Sequence, residues 1–147
     1  MRQDWRLLVI CGLVLIAALV LGVGIVSHGV LRHIVQTVPM WIAIVLAIRG
    51  SGYAKWAALP CFWFWLVLMI EIWLFLLGVN HLISGTFTPI ERAMTIVVAI
   101  ASAVAIMKSI RTRSGVPLVP AVATFVAVTV LQFCLMRLSF IESIAHR

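Results

Sequence analysis

Long apolar runs dominate this chain and restrict what it can fold into. The hydrocarbon core of a bilayer is about 30 Å thick and is spanned by roughly 20 apolar residues of helix, because backbone polar groups there must be satisfied within the segment. Leu7 to Val26, Trp56 to Val79 and Val116 to Met136 meet that length directly. Glu91 to Met107 is slightly short and is completed by Lys108, whose long side chain can snorkel to the interface. Ile34 to Ile48 gives only about 23 Å of helix, or about 29 Å if it starts at Val30 and carries Arg32 and His33 in its first turn.

Composition agrees: 65% of the 147 residues are hydrophobic and 10% are charged, against about a quarter charged in soluble domains. The net charge of +7 does not imply nucleic acid, because the eleven Lys and Arg stand singly between apolar runs and form no basic patch. The first apolar stretch is too long for a secretory leader and no Ala-x-Ala site follows it, so it reads as an uncleaved span. Cys11, Cys61 and Cys134 lie inside apolar runs without metal-ligand spacing and read as small buried hydrophobes.

Loop charge decides between four and five spans, since cytoplasmic loops collect Lys and Arg. Five spans place Arg2, Arg6, Arg49, Lys55, Lys108, Arg111 and Arg113 on one side and Arg32, Arg92, Arg137 and Arg147 on the other, seven against four. If the second segment does not cross, Arg32 joins the set from Arg49 to Arg113 against Arg2, Arg6, Arg92, Arg137 and Arg147, six against five, and the preference disappears. The expectation is an all-α membrane protein: a five-transmembrane-helix bundle, a single integral membrane domain with spans near 7–26, 30–48, 56–79, 91–108 and 116–136. Its N-terminus is expected in the cytoplasm and its C-terminus in the periplasm or outside the cell, in a bacterial inner membrane. Trp5, Tyr53 and Trp56 would fall together at the inner interface. Thr88-Pro89-Ile90-Glu91 has the pattern of a capped helix start.

Helices pack in lipid through small residues. Thr95, Ala99 and Ala103 in the fourth span, and Ala18 and Gly22 in the first, recur every four residues and mark candidate packing faces. Glu71 is the one charge between Trp56 and Val79, about 12 Å of rise from the outer end of that run. A carboxylate there must be paired, neutralised or wetted. No residue of its own helix relieves it, so its partner is expected on another, with Gln36, Arg137 and the outer histidines at compatible depth. It is either a proton- or cation-handling site or a helix-fixing hydrogen bond from a protonated acid.

In the five-span topology every histidine falls on the outer side or its boundary: His28, His33, His81 and His146. Gln36, Asn80, Glu91, Gln132, Arg137 and Glu142 fall there too. His28, His33, Gln36, His81, Gln132 and Arg137 form the candidate polar cluster. No cofactor is expected; haem or a metal held by His28 and His81 is the alternative. The aromatic run Phe62-Trp63-Phe64-Trp65 points to different faces of a helix and reads as lipid contact rather than a ligand cage.

No nucleophile elbow, zinc-protease motif, phosphate loop or pair of carboxylates on one helix face is present. The expected function is therefore a non-enzymatic subunit or assembly partner of a membrane complex, or a homo-oligomer, whose partners are the lipid bilayer and other membrane proteins or itself. A small transporter or channel component using Glu71 is the alternative, and a haem or metal redox protein is the third.

Overall fold

The structure, a computed structural model, describes residues 3–83, 85–141 and 144. Arg2, Glu142, His146 and Arg147 lie outside the described residues. The fold is all-helical, with no strand among the described residues. α1 (Gln3–Ala17) runs directly into a π-helical segment, Ala18–Gly24, and is followed by α2 (Val30–Ile48), α3 (Tyr53–Leu76), α4 (Pro89–Arg111) and α5 (Leu118–Leu138). All five are long and apolar enough to cross a bilayer, and the chain is an integral membrane protein in contact with lipid. Val30–Ile48 is one continuous helix of 19 residues, so the segment whose length was marginal spans as the others do.

Local chemistry sets the helix ends. At Thr88 the hydroxyl accepts from the Glu91 amide while the Glu91 carboxylate accepts from the Thr88 amide at 2.7 Å, with Pro89 in the first turn, as the sequence pattern implies. α3 stops at Leu76, three residues before the end of the apolar run. Gly78 takes a φ of +73°, its amide donates to the Phe75 carbonyl, and the Val79 amide donates to the Leu74 carbonyl. This is the Schellman termination that glycine permits without strain.

α1 packs on α2 and α4, and α3 packs on the same two helices, so the first four spans close into a ring. α5 lies outside it, against α3 and α2, and 17% of its span is buried against 39–44% for the others. Val119, Val122, Val126, Val130 and Phe133 form its exposed apolar stripe. At one end, here the basic end, Lys55 Nζ donates to the Thr112 carbonyl and Trp56 Nε1 to Ser114 Oγ, both at 3.0 Å. At the other, the histidine end, Gln36 Nε2 of α2 donates to Ser139 Oγ just past α5, at 2.8 Å.

Several expectations are corrected by this packing. α4 buries Glu91, Thr95, Val98, Ser102, Ala105 and Ser109, spaced alternately four and three, which is the seam of a helix against its neighbours. Thr95 is on it; Ala99 and Ala103 sit at its edge and are half-buried. In the first span, Ala18 and Gly22 both belong to the π segment Ala18–Gly24. Ala18 is in the core, and Gly22 meets α4, where an added Cβ would come within 2.5 Å of Met94 Cγ. Trp5 is buried in the core rather than set on the lipid-facing surface. Cys134 is exposed because it lies on the peripheral α5, whereas Cys11 and Cys61 are buried as expected.

Candidate functional site

The histidine end of the four-helix ring encloses a cavity of about 490 Å³. Its walls come from the π segment, α2, α3, α4 and the α3–α4 connection, with Met136 and Phe140 closing one side. The sequence builds this space in two ways. The π segment widens the end of the first span and presents Leu19 and Val23 to the cavity. The capping box then starts α4 abruptly at Pro89, so that the preceding residues, including Ile83 and Phe87, fold over the opening.

The wall is chemically divided. Leu19, Leu68, Met69, Ile72 and Val98 supply apolar surface, while Arg32, His33, Gln36, Trp65, Glu91 and Thr95 supply polar groups. Glu91 and Thr95 are committed: the first to its cap, the second as donor to the Arg92 carbonyl and acceptor from Trp73 Nε1. The other four each carry an unpartnered atom. His33 Nδ1, Gln36 Oε1, Trp65 Nε1 and Arg32 Nε are buried atoms without a hydrogen-bond partner. Gln36, Trp65 and His33 are only 1%, 2% and 8% exposed. An unpaired buried polar group costs about 1–3 kcal/mol, so four around one cavity indicate a space that holds hydrogen-bonding matter. Arg32 is positioned by its guanidinium, which stacks 4.2 Å above the Phe140 ring.

A second feature is a lateral groove of about 320 Å³ between α3 and α5. Trp63, Val67 and Phe133 on its rim are exposed on the membrane face of the bundle. Glu71 lies in this groove, half-buried, and not in the cavity. Its partner is Asn80, whose side-chain amide donates to the carboxylate at 2.5 Å. The expectation of a partner from another helix is therefore corrected. Early termination at Gly78 returns the chain over the end of α3, a fold-back that helical spacing along α3 does not show. α3 itself continues five residues, about 7.5 Å of rise, beyond Glu71.

Of the candidate cluster, the fold unites His33, Gln36 and Gln132: Gln132 Nε2 donates to the Gln36 carbonyl at 3.1 Å, and His33 and Gln36 share the cavity. His28, His81 and Arg137 are exposed and line neither cavity nor groove. His28, in the turn between the π segment and α2, takes the left-handed region at a φ of +54°. Among the described residues no three His, Cys, Asp or Glu side chains could hold a metal together. Arg32 and Trp65 were not among the candidates. For Arg32 the signal in the sequence is its place in the first turn of the marginal second span, one residue before His33; Trp65 belongs to a run that reads as lipid contact, but is almost fully buried. The chain matches no protein-family model, no curated protein and no solved structure, and its chemistry must be argued from these residues.

Proposed function

We infer that this chain is a non-enzymatic membrane subunit that acts by packing against a neighbouring transmembrane helix, in a bacterial inner membrane with its basic end in the cytoplasm. One observation carries the reading: the Glu71 carboxylate opens on a groove at the membrane face, with Asn80 its one hydrogen-bond partner among the described residues. A carboxyl group has more hydrogen-bonding sites than Asn80 fills, and hydrocarbon offers nothing to the rest. Gln132 Oε1, also buried without a partner, belongs to the same groove. Two acceptors in one apolar groove suit a helix that brings a donor. The connections between spans are short, which leaves the helix surfaces as the working part of the molecule.

A photocrosslinking residue at Val67, on the groove rim, tests this in intact membranes. The expected result is a discrete protein adduct, whose mass tells a second copy from another protein, with none from the same probe at Ile10 on the first span. Adducts with lipid alone at Val67 would overturn the reading.

A further inference from the structure

We propose that the cavity at the histidine end is a binding site for one anionic amphiphile, a molecule with a carboxylate or phosphate head on a single apolar chain. The inference does not rest on the reading of the groove, whose lining has only Leu68 in common with the cavity.

The donors decide the head. At the rim, Arg32 Nε is an N–H group and His33 Nδ1 can be one, and both are buried without an acceptor; Trp65 Nε1, a third unpartnered N–H, lies deeper on α3. Arg32 adds a permanent positive charge, and guanidinium is the side chain best matched to carboxylate and phosphate oxygens. The other charge in the wall, Glu91, holds the Thr88 amide and hydroxyl on its Oε2 as a helix cap. Gln36 Oε1 remains as an acceptor for a hydroxyl or a protonated head, while its amide nitrogen is held by Ser139.

The shape decides the body. Arg32 and His33 lie in the first turn of α2, whereas Val98 is nine residues into α4 and Trp65 is eleven from the end of α3. These positions are about 13 Å and 16 Å of helix rise inward. The cavity therefore runs from a charged rim toward the middle of the bilayer between Leu19, Leu68, Met69 and Val98. Its volume of about 490 Å³ is within the range of small-molecule sites, about 300–1,000 Å³. Water alone would satisfy the polar rim but not the apolar depth.

Native mass spectrometry of the full chain released from nanodiscs tests this with three probes: palmitate, lysophosphatidylglycerol and hexadecanol. The expected result is one adduct per chain with palmitate or with the lysolipid, the preferred one naming the head as carboxylate or phosphate, and weak binding of the uncharged alcohol. Arg32→Gln is expected to weaken the anionic adduct roughly tenfold to a hundredfold, the loss of a charge-assisted contact, with little change for hexadecanol. Val98→Phe fills the apolar depth without touching the rim and is expected to remove all three adducts, while His81→Ala on the exposed surface leaves them intact. Absence of a stoichiometric anionic adduct, or binding unchanged in both Arg32→Gln and Val98→Phe, would overturn the proposal and leave the cavity to water.

Discussion

The Asn80 side chain bridges the end of its own helix: its amide nitrogen donates to the Glu71 carboxylate, and its Oδ1 accepts from the Leu82 amide at 3.0 Å. This contact joins the acid of the groove to the connection that covers the cavity. Asn80→Ala is expected to destabilise the protein by about 1–3 kcal/mol, because the acid loses its donor. The double variant Glu71→Leu, Asn80→Ala should lose less than Asn80→Ala alone, since both polar partners are then gone. Thermal unfolding in detergent gives both values, and a double variant that loses more than the single one contradicts the pairing.

Glu71→Gln retains a hydrogen-bonding group at the same place and removes titration. If Glu71 works by packing, crosslinking at Val67 and growth under demand for the protein remain at wild-type level. Loss of function with intact crosslinking would instead indicate that the acid must ionise, as a transport role requires.

Gly22 lets the π segment approach Met94, and an added Cβ would come 2.5 Å from Met94 Cγ and 2.7 Å from its sulfur. Gly22→Leu is expected to cost about 1–3 kcal/mol by overpacking. Met94→Ala should recover part of this when combined with it, a coupling readable from a double-mutant cycle. Additive costs would mean that the two side chains do not meet.

Ser139 receives the buried Gln36 amide and is itself fully buried. Ser139→Ala leaves that amide unpaired, at a cost of about 1–3 kcal/mol. The loss should appear as increased protease access or hydrogen exchange at the end of α5 before the four-helix ring opens, because α5 has the least buried surface.

Orientation has its own measurement. A reporter fused after Arg147 is expected to behave as periplasmic, and one fused before Met1 as cytoplasmic. Cytoplasmic behaviour of the first would reverse the orientation assigned from loop charge.

The legibility of this chain follows the range of the interactions involved. The Thr88–Glu91 cap is a contact between residues three apart, and its pattern sufficed to place the start of α4. Ala99 and Ala103 were harder, since small residues occur all round α4 and only the neighbouring helices select the face through Thr95, Val98 and Ser102. Trp65 shows the same limit. An aromatic run in an apolar span has no internal mark to separate the ring that enters the core from Trp63, which remains at the surface.

By itself the sequence determined the number and position of the spans: bilayer thickness and backbone satisfaction act on each segment separately, and loop charge added the short second segment as a fifth. It also placed the polar residues at one end of the bundle. Only the tertiary structure decided that four spans close into a ring with α5 outside. It likewise decided that Arg32, His33, Gln36 and Trp65 face one cavity while His28, His81 and Arg137 do not, and that Glu71 turns to a lateral groove with Asn80. The physical reason is that lipid is as apolar as most of the side chains, so hydrophobicity drives insertion but does not choose neighbours. That choice rests on shape and on a few long-range hydrogen bonds, such as Gln36 to Ser139 across 103 residues.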